Sequence, residues 1–168
     1  VANWNGPNRV WINDGFGSFT DSGQALGNSQ SSAAALGDLD GDGDLDAWVA
    51  NASNQPNRVW INDGLGNFSD SGQAFGNSWS RDVALGDLDG DGDLDAWVAN
   101  WDNQPNRVWL NDGNGLFSYA YGQALGSSNS YGVALGDLDG DGDLDAVATF
   151  MWLNDGCGNF TNSGQTIG

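Results

Sequence analysis

The sequence predicts an all-β fold made of repeated four-stranded units, and three observations lead to it. The segment ALGDLDGDGDLDA occurs three times in the 168 residues, at a spacing of 49 and then 50 residues, and such a period indicates a repeat architecture. A second segment, VW[IL]NDG or MWLNDG, occurs four times. Between these segments, β-branched and aromatic residues form short runs bounded by Gly, Asn, Asp and Pro, as is typical of strands.

A third segment, Gly-Gln-Ala/Thr-apolar-Gly, marks the end of each unit. The four ends are Gly27, Gly76, Gly126 and Gly168. The pattern therefore divides one repeat domain into a partial blade at 1–27 and three further blades at 28–76, 77–126 and 127–168. The last blade has a shortened second hairpin, because AVATFMWLND replaces the AWVANWDNQPNRVWLND of its neighbour.

Each complete unit is predicted to hold four strands, which is the number in a blade of a β-propeller. In the middle unit we expect strands at 82–86, 96–100, 106–111 and 116–125. They are joined by an Asp-Gly loop, an Asn-Gln-Pro-Asn loop and an Asn-Asp-Gly turn, whose glycines supply positive φ. Three blades and a part form an open stack with unpaired faces, which something must cover.

Composition excludes several kinds of chemistry. All 23 acidic residues are Asp and all 4 basic residues are Arg, which gives a net charge of -19 with no Glu, Lys or His. A His base, a Lys Schiff base and a Ser-His-Asp relay are therefore excluded. This charge repels nucleic acid and anionic membrane surfaces, and no apolar run is long enough to insert in a membrane. The natural partner is a cation.

The repeated nonapeptide DLDGDGDLD is predicted to bind that cation. It places carboxylates at positions 1, 3, 5, 7 and 9 with Gly at position 6, and Ca²⁺ takes six to eight such oxygens in a tight loop. In the first loop Asp38, Asp40, Asp42 and Asp46 would offer side chains and Asp44 its carbonyl. An EF-hand is excluded because position 12 holds Val49, Val98 or Ala148 in place of Glu. Mg²⁺ and Zn²⁺ suit this ligand set less well.

These segments, DLDGDGDLDAWVAN followed by NRVWLNDGNGLF, resemble the FG-GAP and VCBS-type repeats of integrin α-chain propellers and bacterial surface proteins. The resemblance covers nearly the whole chain and implies one structural Ca²⁺ per acidic loop, hence three sites. The ligands it implies are Asp38, Asp40, Asp42, Asp44 and Asp46 in the first loop, Asp87, Asp89, Asp91, Asp93 and Asp95 in the second, and Asp137, Asp139, Asp141, Asp143 and Asp145 in the third.

The nine Trp residues allow two interpretations. Six recur at equivalent repeat positions and are expected to pack between blades; they are Trp11, Trp48, Trp60, Trp97, Trp109 and Trp152. Trp4, Trp79 and Trp101 break the repeat and are candidates for a ligand surface, for example one that binds a glycan. The repeated Arg9, Arg58 and Arg107 are expected to pair with neighbouring Asp residues.

Catalysis is not expected. Asp14, Asp63, Asp112 and Asp155 are explained by the repeated Asn-Asp-Gly turn, so outside the acidic loops only Asp21, Asp70, Asp82 and Asp102 remain. The lone Cys157 cannot form an internal disulfide.

The sequence therefore predicts a calcium-stabilised, non-catalytic module outside the cell or on its surface, with a structural or adhesive role and a protein or glycan ligand as partner. Because related propellers usually close with about seven blades, we expect either a fragment of a longer chain, completed by its missing blades, or a protomer that self-associates. Two alternatives stay open: a protomer of an extracellular fibre completed by neighbouring chains, and a carbohydrate-binding lectin.

Overall fold

The computed structural model describes residues 1–123, 125–127 and 129–166, and within those ranges it contains strands and turns but no helix. It confirms an all-β fold of open, blade-like antiparallel sheets. One two-stranded sheet, here called the half-blade, contains β1 (Asn8–Asn13) and β2 (Phe19–Leu26). Three four-stranded sheets follow, here called blades I, II and III, and in each of them the strands pair in chain order.

The strands of the three blades follow one plan. Blade I contains β3 (Ser31–Gly37), β4 (Asp46–Asn51), β5 (Arg58–Asn62) and β6 (Phe68–Asp70). Blade II contains β7 (Trp79–Gly86), β8 (Asp95–Trp101), β9 (Arg107–Asn111) and β10 (Phe117–Tyr119). Blade III contains β11 (Ala134–Gly136), β12 (Asp145–Val147), β13 (Phe150–Asn154) and β14 (Phe160–Thr166).

The predicted fourth strand of blade II, 116–125, is wrong in length. β10 ends at Tyr119, and the chain returns to the sheet only at Leu125, which forms an isolated bridge with Asn106. Between these points Gly122 has a φ of 93°, a left-handed conformation that interrupts a regular ladder. Residue 124 of the predicted strand and Gly168, the predicted end of the last unit, lie outside the described residues.

The hydrophobic core lies between the blades. The sequence DAWVAN of β4 is buried at all six positions, because both faces of that strand are covered. Trp48 and Trp97 are fully buried, Trp60 and Trp152 nearly so, and Trp109 is partly buried against the same core. The predicted packing of the repeated Trp residues is thus confirmed except at Trp11, which is 46% exposed.

A cavity of about 600 Å³ separates the half-blade from blade I. Its walls include Val10 and Ile12 of β1 and Ala34, Leu36 and Val49 of blade I. On the side of blade I that faces away from the half-blade, β3 and β4 pack against β7 of blade II. The half-blade has no described strands equivalent to β3 and β4. The apolar face of blade I that such strands would cover therefore opens into the cavity.

The described residues contain no helix that is long and apolar enough to cross a membrane.

Candidate metal sites and an aromatic cluster

Each acidic loop joins the first two strands of a blade and wraps around its first carboxylate. In blade I, Asp38 Oδ1 accepts a hydrogen bond from the backbone N–H of Gly41 at 2.8 Å, and Oδ2 accepts one from Gly43 at 3.0 Å. The two glycines have φ values of 78° and 94°, a conformation that favours Gly. Asp87 and Asp137 repeat this arrangement in blades II and III.

The last Asp of each loop is buried and holds the loop to the sheet. Asp95 Oδ2 accepts a hydrogen bond from Leu88 N at 2.9 Å, and Oδ1 accepts one from Asn111 N at 2.8 Å. Asp46 and Asp145 make the equivalent pairs of bonds, and all three residues have no exposed surface. Burial raises the pKa of Asp95 to about 6, against the opposing effect of these two N–H donors.

In each loop three carboxylates converge. One oxygen from each member lies within 4.8 Å of the others, and the three groups are Asp38, Asp40 and Asp42; Asp87, Asp89 and Asp95; and Asp137, Asp139 and Asp145. Asp89 Oδ1 is a buried oxygen with no hydrogen-bond partner. An unpaired buried carboxylate oxygen beside two other carboxylates is a poor arrangement without a cation and a suitable one with it.

The charged form of the Asp at position 3 of each loop is disfavoured. Burial raises the pKa of Asp40, Asp89 and Asp139, and the charges of nearby loop carboxylates raise it further. A raised carboxylate pKa means that the charged form is disfavoured in the metal-free loop. A bound cation reverses that preference, so protons and metal compete for these oxygens.

Two Asp residues of each loop lie outside these groups. Asp42, Asp91 and Asp141 each accept a hydrogen bond from the backbone N–H two residues later, but only Asp42 also belongs to a convergent group. The carboxylates at position 7 lie against a glycine of the Asn-Asp-Gly turn in their own blade, where an added Cβ would overlap them; the pairs are Asp44 with Gly64, Asp93 with Gly113, and Asp143 with Gly156. In the first loop Asp46 is also outside the group.

The acidic loops of blades I and II are each also connected to the next blade. Asn111 Nδ2 donates a hydrogen bond to the Leu39 carbonyl of blade I at 2.9 Å and another to Leu94 of its own blade at 3.2 Å. Asn154 joins blade III to the Leu88 carbonyl of blade II at 2.8 Å. Whatever orders an acidic loop therefore also orders a contact between blades.

The three Trp residues that break the repeat meet in one cluster. Trp79 lies at the start of β7 and Trp101 at the end of β8, so both are at the opposite end of blade II from its acidic loop. Trp4, in the segment before β1, has its ring centroid 6.5 Å from that of Trp79, and the Trp101 centroid lies 4.9 Å from that of Trp79. Strand pairing explains the second contact, because Trp79 is opposite Trp101.

Sequence reasoning missed a fourth member of this cluster, Arg81. Its guanidinium carbon lies 5.8, 5.7 and 5.3 Å from the ring centroids of Trp4, Trp79 and Trp101, which is cation–π distance. Arg81 Nε is buried without a hydrogen-bond partner among the described residues. A signal was available, because Arg81 is the one Arg outside the repeated Pro-Asn-Arg segment.

The predicted pairing of the repeated Arg residues holds at one site. Arg58 Nη1 lies 3.9 Å from Asp70 Oδ2. Arg9 instead donates to the Gly23 carbonyl at 3.5 Å, and Arg107 stacks over Tyr119 at 4.9 Å. The correction for Arg107 has a simple cause, since Tyr119 stands at the repeat position of Asp70.

The predicted role of the Asn-Asp-Gly turn is confirmed. Asp63 Oδ1 accepts hydrogen bonds from the N–H groups of Leu65 at 2.9 Å and Asn67 at 3.1 Å. Asn67 also donates its side-chain amide to Asp63, and these bonds lower the pKa of Asp63. Asp14, Asp112 and Asp155 form equivalent turns.

Comparison with known proteins agrees with this geometry. The model of the FG-GAP-like repeat matches residues 1–49, 38–98 and 87–148, so the second and third matches each begin at the first Asp of an acidic loop. No curated protein matches the chain. Three matches that together span most of the sequence establish that the chain belongs to the FG-GAP-like repeat family.

Proposed function

We propose that this chain is a calcium-stabilised, extracellular repeat module with a structural or adhesive role and without catalytic activity. The observation that carries the proposal is the convergence of three carboxylates in each of three acidic loops. Ca²⁺ prefers oxygen ligands, and this chain offers no His and one exposed Cys to metals of other preference.

The convergent carboxylates would form the centre of each site. The remaining ligands that Ca²⁺ requires would come from the position 5 and position 9 side chains that lie outside the convergent groups, and from the backbone carbonyl at position 7. The side chains of Asp44, Asp93 and Asp143 already lie against the adjacent turn, which is consistent with a backbone role at that position. When bound, the ion supplies positive charge that offsets repulsion among the carboxylates.

Calcium binding would supply a large part of the stability of the fold. A ligand that binds only the native state adds RT ln(1+[L]/Kd), about 2.7 kcal/mol per site at a hundredfold excess over Kd. Three such sites rival the roughly 5–15 kcal/mol by which a typical domain is stable. A module that depends on calcium for stability suits an extracellular setting, which membership of the FG-GAP-like family also supports.

The absence of catalysis is supported by what the other Asp residues do. Asp70 pairs with Arg58 and accepts the Gly72 N–H. Asp82 accepts N–H bonds from Val83 and from Val133 of the next unit. Asp21 caps a turn at Gly23, and these local roles leave little carboxylate chemistry unused.

Thermal melts of the chain in 2 mM Ca²⁺, in 2 mM Mg²⁺ and in chelator test this proposal. We expect Ca²⁺ to raise Tm well above the other two conditions, and calorimetric titration to find about three sites. Asp89→Asn removes one unpaired ligand oxygen and should reduce the stoichiometry by one. Asp102→Asn is the matched control, because Asp102 is exposed in a hairpin loop. A Tm that is the same in chelator and in Ca²⁺ would contradict the proposal.

The aromatic cluster supports a second candidate, a saccharide-binding role. Indole faces stack on sugar rings, and Arg81 adds a positive charge that suits a sugar bearing a carboxylate or sulfate. Trp4 is 39% exposed, so part of the cluster is accessible.

Intrinsic fluorescence during titration with neutral and acidic oligosaccharides tests this candidate. The response should be lost in Trp4→Ala and kept in Trp11→Ala, whose indole is similarly exposed at 46% but lies outside the cluster. A response to none of the sugars, or one that survives Trp4→Ala, contradicts the candidate and leaves the cluster as a structural contact between the segment before β1 and blade II.

A further inference from the structure

The same set of contacts joins each unit to the next. Gln24 of the half-blade donates Nε2 to the Gly66 carbonyl of blade I at 2.6 Å and accepts the Phe68 N–H at 2.8 Å. Each Gln thus holds the outer hairpin of the following unit by two hydrogen bonds. The other two examples are Gln73 with Gly115 and Phe117, and Gln123 with Gly158 and Phe160.

An apolar contact accompanies each Gln. The side chain of Ile12 lies over Gly66, where an added Cβ would be 3.1 Å from Ile12 Cδ1. The equivalent contacts are Ile61 over Gly115 at 3.6 Å and Leu110 over Gly158 at 3.2 Å. A third contact, from Asn Nδ2 to a Leu carbonyl of the preceding acidic loop, joins blade I to blade II and blade II to blade III.

The two end faces carry the unmatched halves of these contacts. On blade III, here the tail face, Gln165 has an exposed side chain, and Leu153 stands at the repeat position of Ile12. On the half-blade, here the head face, a Cβ added at Gly17 meets nothing within 4 Å, and Phe19 is 61% exposed. Among the described residues, the Gln165 side chain makes no hydrogen bond, and no Gln accepts the Phe19 N–H as Gln24 accepts that of Phe68.

We propose that the tail face binds the head face of a second copy of this chain, as a continuation of the contact between blades. Gln165 of one copy donates to the Gly17 carbonyl of the next and accepts its Phe19 N–H, while Leu153 covers Gly17. Asn13 donates to the Leu138 carbonyl, the one acidic-loop Leu carbonyl that has no following blade among the described residues. A second copy is the occupant because the groups required on each face are those that the other face presents.

The contact is head-to-tail, so it closes into a ring or continues as a filament according to the rotation between copies. The interacting groups are uncharged, but each copy carries a net charge of -19. At about 0.15 M salt the Debye length is about 8 Å, which limits repulsion between copies to the neighbourhood of the interface. This inference is independent of the proposed calcium and saccharide roles.

Sedimentation of the 168-residue chain at rising concentration, in 0.15 M NaCl with 2 mM Ca²⁺, tests it. We expect masses that grow in multiples of 17.6 kDa. Gln165→Ala removes two hydrogen bonds and should weaken association about tenfold. Leu65→Ser is the control, since Leu65 is 84% exposed on blade I, away from both faces. A chain that stays monomeric at all concentrations overturns the proposal.

A mixing experiment tests direction. Leu153→Asp blocks the tail face and Phe19→Asp the head face, so each variant alone should be monomeric while their mixture forms only dimers. Circular dichroism establishes that each variant is folded, and Gln165→Ala provides a milder tail variant should Leu153→Asp unfold. Dimers of either blocked variant alone, or assembly of Gln165→Ala as strong as that of the unchanged chain, would contradict a head-to-tail contact.

Discussion

Asp95 combines two tasks, because a residue that belongs to a convergent acidic group also closes the backbone of its loop. Both of its oxygens are used by N–H donors, one from Leu88 and one from Asn111. Asp95→Asn keeps one acceptor but turns an amide N–H₂ towards the other N–H donor, leaving a buried backbone group unsatisfied. In chelator we expect the free energy of unfolding to fall by about 1–3 kcal/mol, as measured by urea denaturation.

The control for this substitution replaces an exposed Asp carboxylate with the same Asn amide. Asp102 is exposed and has a φ of 61°, a conformation that Asn adopts readily. Asp102→Asn should therefore leave stability within about 0.5 kcal/mol of the unchanged chain. Equal losses in both variants would show that general charge reduction, and not the hydrogen bonds of Asp95, sets the effect.

The sequence was a good guide to which residues approach a site and a poor guide to what each one does there. The spacing of five Asp residues predicted convergence in every loop. It could not separate Asp95 from Asp91, because the N–H of Asn111 that occupies Asp95 comes from a different strand. It likewise could not place Arg81 among the three non-repeating Trp residues, since Trp4 reaches that cluster from the segment before β1, far from Arg81 in sequence.

At the scale of the strand, the close approach of neighbouring blades explains why the first strands of blades I and II end in Gly. A Cβ added at Gly37 would lie 2.6 Å from Leu94 Cδ1 and 3.2 Å from Leu85 Cδ1 of blade II. Gly37→Ala must displace one of these leucines, so we expect a loss of about 1–2 kcal/mol in thermal or urea unfolding.

Blade III supplies an internal control for that prediction. Gly136 occupies the same position at the end of β11, but a Cβ there meets nothing within 4 Å. Gly136→Ala should be neutral or slightly stabilising, because Ala restricts the unfolded chain. If Gly37→Ala and Gly136→Ala behave alike, backbone preference and not packing between blades explains the glycine.

The Gln contacts permit a second matched comparison between elements. Gln73→Ala removes both hydrogen bonds to blade II and leaves the Gly115 carbonyl and the Phe117 N–H to find water. We expect a loss of about 1–3 kcal/mol. Gln165→Ala, in the same sequence context but on the tail face, should not change the stability of the monomer. Urea unfolding at low protein concentration, where association is negligible, measures both.

Strand positions were predictable, whereas strand lengths were not. The Asn-Asp-Gly turn and the acidic loop fixed where hairpins reverse, because each supplies its own hydrogen bonds and glycine conformations. The outer strand instead depends on local register. In β2 and β14 it continues past an irregularity in pairing, whereas in blades I and II it stops after three residues and returns as an isolated bridge. Ser-Gly-Gln lies within the long strands β2 and β14 but also just after the short β6, and Tyr-Gly-Gln lies just after the short β10. The sequence pattern therefore does not distinguish a long outer strand from a short one.

At the scale of the whole molecule, repulsion between like charges opposes folding, since 23 Asp residues face 4 Arg residues. Three loops of five Asp residues hold most of that charge at one end of the blades. Raising NaCl from about 10 to 150 mM shortens the Debye length from about 30 to 8 Å. In chelator we therefore expect salt to raise Tm by several degrees, given that about 1 kcal/mol corresponds to 2–4 °C for a chain of this size.

Calcium should remove much of this salt dependence. Each bound Ca²⁺ places two positive charges among five carboxylates, so salt has less repulsion left to screen. The comparison is Tm against NaCl concentration in chelator and in 2 mM Ca²⁺, with the smaller slope expected in calcium. Equal slopes would mean that the salt acts on charges outside the acidic loops or that the loops remain metal-free. A falling Tm in chelator would mean that favourable ion pairs, of which Arg58 with Asp70 is the described example, outweigh repulsion among the loops.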